Sequence, residues 1–435
     1  MCIRDRGIRM CNQLLENIDR VPDLDPELKK RYIGEAKVLR AYNYYELYTK
    51  FGDIPYTTKV LSIKESMSIA RTDRATVIAN MLADLDEVIN GNYLPTSYDA
   101  DNKGRITRWA AMAIKAKIYL FEGNWTQVKN ITSTIMTEGG FTLFGSYAGL
   151  FEIANEYNSE VILDAQYRPT SREHQMMYAF LPPSLGGYSQ LSPLQELVDS
   201  YIMLDGKTIK ETGTSFDESN PYANRDPRLK ATVMYTGNSY TLADGTEVVI
   251  NCEKGEGKDG YGVGSDCSAT GYYIKKYWDN TYRATLYSGL NPILIRYADI
   301  LLMNAEALAE LGELDKTAWD ATIKPIRDRA GFTLTSAVEF PEGASKDKLI
   351  EIVRNERRSE LALEGHRHKD IIRWRIADDV LNGWCHGLKT NEVVGTDNGY
   401  VRVENRAFNA NRHYLWPIPQ AERDLNGNLE QNPNW

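Results

Sequence analysis

Between Arg354 and Trp374 the chain reads RNERRSELALEGHRHKDIIRW, with glutamates at 356, 360 and 364. An interval of four sets all three on one side of a helix. Wound further back, the same stripe holds Leu349 and Val353, with Ile350, Leu361 and Leu363 on its flanks. The carboxylates are therefore centred in an apolar face rather than turned to solvent. A buried, unpaired carboxylate costs several kcal/mol or takes up a proton. Such a trio either serves acid–base chemistry with raised pKa values or is neutralised by neighbouring cations.

The cations are close at hand. Arg357 and Arg367 fall inside the stretch, Arg373 and Arg375 at and just past its end, and Arg327 and Arg329 in IRDRAGF close the preceding helix. A planar guanidinium satisfies both oxygens of a carboxylate at once. The expectation is a structural ion-pair cluster of Glu356, Glu360, Glu364, Arg327, Arg329, Arg367 and Arg373, with no catalytic residue among them. His366 and His368 form an H-x-H without a third ligand in register, so no metal is expected.

GEGKDG, Gly255–Gly260, matches a dinucleotide fingerprint by letter. Phosphate binding there requires a strand before and a helix after. VVIN suits the strand, but YGVGSDC cannot be the helix, so this is a loop and no cofactor is expected. Neither a G-x-S-x-G elbow nor an H-E-x-x-H helix occurs. Any two loop carboxylates could meet as a glycosidase pair, yet nothing singles one out, and the protein is read as a non-enzyme. Of five cysteines, Cys252 and Cys267 flank the glycine-rich loop and are open to pairing, although scattered thiols in odd number are more often free. A net charge of −9 argues against a nucleic-acid binder, because polyanions need a basic surface, and no nucleic-acid partner is expected. No apolar run reaches the ~18–20 residues of a membrane helix.

Aromatic residues carry the remaining signal. There are 27 tyrosines and 8 tryptophans against 10 phenylalanines, a bias toward rings with a polar handle that suit half-wet binding faces. They concentrate in GYGVGSDCSATGYYIKKYWDNTYRATLY, where Trp278 and Tyr282 stand beside Asn280 and Arg283. Trp278 and Tyr282 are expected at exposed positions. With Tyr261, Asn280 and Arg283 they form the candidate ligand-binding set, rings stacking on a flat ligand and polar groups bonding its hydroxyls.

These residues need a scaffold. Glu35–Asp53, Arg108–Trp125, Leu294–Leu314 and the opening stretch each read as a helix rich in Ala, Leu and Tyr that stops near a glycine (Gly52, Gly123, Gly312, Gly365). Leu294, Ala298, Leu301, Ala305 and Leu308 share one stripe whose alanines admit a close neighbour, the tetratricopeptide manner of stacking. Partner helices are expected over 72–90, 125–138 and 317–330, with Thr107 as an N-cap. Gly, Pro, Asn and Tyr punctuate 139–291, giving short strands and long loops, and 382–411 is read as irregular. The expected organisation is helices over 1–138, a loop-and-strand insertion over 139–291 with the ligand surface, helices over 292–381 and an irregular segment over 382–435. The fold class is mostly α.

In order, EAKVLRAYNYYELYTKFGDIPY, GRITRWAAMAIKAKIYLFEGNW, LQELVDSYIMLDGK, NRDPRLKATVMY, IRYADILLMNAEALAELG, IRDRAGF, ERRSELALEGHRHKDIIRW and YLWPIPQAERDLNGNLEQNPNW resemble the landmarks of the SusD/RagB family of nutrient-binding outer-membrane proteins of Bacteroidetes. The resemblance implies four tetratricopeptide-like helix pairs and a looser ligand-bearing lobe. It also implies a cell-surface lipoprotein that caps a TonB-dependent SusC-like transporter and delivers an oligosaccharide, or in some members a peptide, without a cofactor. Cys2 and Cys11 lack the setting of a lipidation site, so the signal peptide and lipid-modified cysteine of the family are expected to precede this chain. The competing readings are a tetratricopeptide-like protein-interaction scaffold and, behind it, a glycoside hydrolase.

Overall fold

The computed structural model describes residues 2–281 and 286–435. The chain forms two compact units that interleave in sequence. One comprises Met1–Gly140, His368–Leu381 and Phe408–Trp435; the other comprises Phe141–Arg367 and Asn382–Ala407.

The first unit is helical. Cys2–Asn17 packs on Pro26–Phe51, which packs on Arg74–Asn90; Arg108–Phe121 follows and pairs with Trp125–Glu138. Four of these helices begin on a polar cap. Asp25 accepts from Leu28 N at 2.8 Å, Asp73 from Thr76 N at 2.9 Å, Thr107 from Ala110 N at 3.3 Å and Asn124 from Gln127 N at 3.3 Å. Ala110, Ala111, Ala113 and Ala116 are fully buried, and their small side chains let neighbouring helices approach closely. Phe51 hands over to Gly52 at φ 71°, the left-handed turn that glycine adopts without a Cβ clash.

In the second unit, Tyr297–Leu311 packs against Lys346–Glu360. The helix expected over 317–330 is two, Lys316–Ala321 and Ile323–Ala330. Pro325 has no N–H to return to the carbonyl of Ala321, and the helix breaks at Thr322. The opening stretch also departs from expectation. Its helix ends at Glu360, Leu363 turns left-handed at φ 63°, and a second helix runs over Arg367–Arg373. Glu364 thus sits past the helix end.

Two antiparallel pairs lie within the insertion, Val233–Met234 with Tyr273–Ile274 and Ser239–Thr241 with Glu247–Val249, and a third ties its Val161–Asp164 to Ile293–Arg296, a strand in place of the expected start of the Leu294–Leu314 helix. The segment read as irregular is a sheet instead. Gly383–Lys389 and Thr396–Asp397 flank Tyr400–Arg406, with Gly383 opposite Arg406 and Lys389 opposite Tyr400. Glycines within GWCHGLK weaken the local strand signal, and cross-strand pairing supplies what propensity lacks.

Candidate functional site: a closed charge cluster and an open tyrosine face

The glutamates of the opening stretch meet five cations. Arg228 Nη1 lies 2.7 Å from Glu356 and 2.9 Å from Glu360, while its Nη2 holds Asp226 at 2.7 Å. Arg296 reaches Glu160 at 2.7 Å, Glu360 at 2.6 Å and Glu364 at 2.7 Å. Arg327 binds Glu356 at 2.7 Å, Arg329 binds Glu160 at 3.0 Å and pairs with Glu360, and Lys276 binds Glu364 at 2.7 Å. The five acids (Asp226, Glu160, Glu356, Glu360, Glu364) balance Arg228, Arg296, Arg327, Arg329 and Lys276, and all ten side chains are buried.

Burial alone would push these carboxyls up. For Glu360 the fields of Arg329, Arg296 and Arg228 outweigh it and hold the group well below the ordinary range, and Glu356 and Glu364 are lowered by the same balance of burial against cations. Burial pushes Lys276 down to about 8, against the opposing pull of Glu364. Its ammonium donates to Tyr147 Oη at 3.0 Å and to the carbonyl of Ala362 at 2.8 Å as well. A carboxylate held ionised by two or three guanidiniums is a poor proton carrier. The arrangement ties strand, helix and turn together and offers no acid–base pair.

Two arginines expected in this cluster are elsewhere. Arg373 pairs with Asp370 at 2.9 Å in the other unit, because the chain turns at Leu363 and Gly365 instead of continuing as one helix. Arg367 starts the next helix, near enough to Arg358 to depress that guanidinium, which burial lowers first, to about 10. Arg228, Arg296 and Lys276 take their places. The one sequence sign of them is an arginine or lysine set among apolar residues in DPRLKA, ILIRYA and YYIKKY.

The aromatic candidates are also redistributed. Trp278, expected at the surface, is 9% exposed, donates its Nε1–H to the carbonyl of Thr241 at 2.8 Å and meets Tyr240 edge-on at 5.2 Å. A ring whose N–H finds a buried carbonyl gains more by packing than by facing water. Tyr272, Tyr273 and Tyr277 are buried too. Tyr261 is half-buried against the same core, and Asn280 is partly exposed. Tyr282 and Arg283 lie outside the described residues. Cys252 and Cys267 are both free thiols, Cys252 within the core. Asp164, which burial raises to about 6, is 8% exposed and bonded by the Asn291 amide at 3.1 Å, so it too is withdrawn from ligand.

An open aromatic face lies in the same unit, built by HQMMYAFLPPSLGGYSQL. Met177, Phe180 and Leu181 anchor the short Met176–Phe180 helix in the core, turning Met176 and Tyr178 outward. The chain then reverses over Pro183–Leu185 and returns so closely that a Cβ on Gly187 would stand 2.1 Å from the carbonyl of Leu181. That approach lets Tyr188 N donate to the carbonyl of Tyr178 at 2.9 Å and Leu191 N to that of Ala179 at 2.8 Å. The rings of Tyr178 and Tyr188 stack at 4.6 Å and 23°, 37% and 40% exposed, with their hydroxyls 3.3 Å apart. Gln175 and Gln190 are exposed on the same segments. His174 exchanges backbone hydrogen bonds with Ser288 at 2.9 Å, which joins the neighbouring exposed Tyr287 to the segment. Two rigid rings with hydroxyls and amides at their rim can stack on the C–H face of a sugar and bond its hydroxyls. The pair lies about eighty residues upstream of the aromatic-rich stretch, and its one sequence sign is the double glycine before Tyr188.

Known proteins bear on this geometry. Residues 150–435 match the model of the SusD family, and residues 5–120 match a model described as starch-binding, associating with outer membrane. A SusD-like protein of Formosa agariphila is 28% identical over 400 residues, 86% of this chain and 70% of its own length. The crystal structure of a SusD-like carbohydrate binding protein from Bacteroides fragilis is 30% identical with a TM-score of 0.86, covering 97% of this chain and 84% of that one. A second SusD-like protein from the same species is 28% identical with a TM-score of 0.83, over 98% and 84% of the two chains. The family model covers well over half of the chain, and the chain belongs to the SusD family.

Proposed function

We propose that this protein binds oligosaccharide at the cell surface and works with a TonB-dependent SusC-like transporter in glycan uptake. The observation that carries this reading is the exposed Tyr178–Tyr188 stack, held by backbone hydrogen bonds on a loop of the second unit. Stacking platforms of this kind need no rearrangement to receive a sugar, and the small cost of ordering them favours affinity. The family described as associating with outer membrane and the B. fragilis relative described as carbohydrate binding support glycan over the alternatives. Attachment by a lipid-modified cysteine, which the family resemblance implies, belongs to the same proposal; among the described residues no helix is long and apolar enough to cross a membrane.

Isothermal titration against plant, host and microbial oligosaccharides tests it. The expected result is saturable binding to one glycan class, weakened at least tenfold by Tyr178→Ala with Tyr188→Ala, at an unchanged melting temperature. Binding that ignores this double substitution removes the site, and silence across the glycan panel with capture of peptides transfers the role to peptide. Co-purification with a β-barrel transporter tests the partnership, and soluble partners alone favour the scaffold reading. A reducing-end assay tests for hydrolysis; turnover abolished by a single carboxylate substitution overturns the binding role.

A further inference from the structure

The first unit contains a cavity of about 350 Å³ lined by Arg74, Arg373, Arg375 and Arg412 together with Tyr414 and apolar side chains that include Phe121 and Leu415. We propose that it binds the carboxylate of a small organic acid about the size of one acidic sugar ring.

Four guanidiniums at one cavity are out of keeping with a chain of net charge −9. Two of them are neutralised: Arg74 pairs with Glu122, and Arg373 with Asp370 at 2.9 Å. Arg375 and Arg412 have no carboxylate partner among the described residues. Each lies on an aromatic face instead, Arg375 4.3 Å from the centre of Tyr414 and Arg412 4.0 Å from that of Trp435. Stacking covers the plane of a guanidinium and leaves its edge N–H groups open, and that edge matches the two oxygens of a carboxylate. The nearby acid, Asp378, is engaged by the hydroxyl of Tyr414 at 2.9 Å.

One further observation points to a ligand. Arg375 holds a left-handed backbone at φ 58°, a conformation a non-glycine residue adopts at the expense of strain. The volume is at the small end of the ~300–1,000 Å³ range of ligand pockets, which suits one ring and not an oligomer. Phe121 and Leu415 supply an apolar wall for the ring. This site and the Tyr178–Tyr188 face belong to different units, so either can fail alone.

The test is titration calorimetry of the full chain with sodium D-glucuronate, methyl glucoside and sodium sulfate at matched ionic strength. Saturable glucuronate binding is expected, weakened at least tenfold by Arg375→Gln and by Arg412→Gln, declining with added NaCl and unaffected by Tyr178→Ala with Tyr188→Ala. Methyl glucoside binding equal to glucuronate overturns the proposal, as do two folded glutamine variants that bind like wild type. Sulfate binding as tight as glucuronate overturns the carboxylate assignment in favour of a bare oxyanion. If the variants fail to fold, the contrast between glucuronate and methyl glucoside on wild type decides, and the absence of glucuronate saturation refutes the site.

Discussion

Glu360→Gln is the sharpest probe of the charge cluster, because it keeps the shape of the side chain and removes one charge. Glu360 is fully buried and accepts from Arg296 at 2.6 Å and from Arg228 at 2.9 Å, with Arg329 as a third partner. With five acids facing five bases, the substitution leaves one buried positive charge uncompensated. It also turns one acceptor into an NH₂ group that points at guanidinium donors. Breaking a buried pair by removing one partner costs about 3–5 kcal/mol, a large part of the ~5–15 kcal/mol that holds a domain folded. For a unit of about 250 residues the melting temperature falls by roughly 2 °C per kcal/mol, so a drop of about 6–10 °C is expected. Urea unfolding followed by far-ultraviolet circular dichroism measures the free energy. Glu351→Gln, on the exposed side of the same helix and paired with Lys348, is the control and leaves the midpoint in place. The acid limb adds a second readout. Carboxyls whose folded pKa lies below the ordinary 4.5 contribute stability that is fully present above that value and lost as pH falls through the folded values. The gap between wild type and Glu360→Gln therefore narrows as pH drops below 4.5. An unchanged midpoint at neutral pH, or a gap that ignores acid, refutes the argument that ion pairing stabilises this region.

Three other expectations follow from particular contacts. Trp278→Ala lowers stability by about 3–5 kcal/mol, the cost of emptying a buried aromatic site, while oligosaccharide affinity of the remaining folded protein stays the same; lost affinity at full stability would return the ring to the ligand surface. Gly187→Ala forces apart two segments now at contact distance and disorders the tyrosine stack, so titration should register weaker oligosaccharide binding, and wild-type affinity would count against the stack as the site. His386 loses basicity to partial burial but gains more from Asp397 at 3.0 Å and Glu196 at 2.8 Å, leaving its pKa above 6.5. The stability this gives is complete below 6.5 and lost as pH rises through the folded value; NMR titration should show the raised pKa falling in Asp397→Asn.

Sequence alone determined what depends on nearby residues. Helix starts follow from side chains that reach backbone donors three residues on, as at Asp73, Thr107 and Asn124, and stops from glycines that turn left-handed, as at Gly52 and Gly312. Spacing by four likewise put Glu356 and Glu360 on the buried face, since helical periodicity is a local property. The ordered landmarks sufficed for the family and its mostly helical class. Tertiary structure decided the rest. Which cations neutralise Glu360 depends on Arg228 and Arg296, 132 and 64 positions away, and no local signal couples such distant residues. Trp278 and Tyr178 are both aromatic residues in loop-rich sequence, yet one is buried and the other open. Burial is set by which distant segment covers a ring: the Ser239–Thr241 strand covers Trp278, whereas nothing among the described residues closes over the outer face of Tyr178 and Tyr188. In the Gly383–Arg406 sheet only Gly383–Lys389, with two glycines, depends on pairing in this way; Asn398-Gly399 before the alternating Tyr400–Val403 is a local hairpin signal.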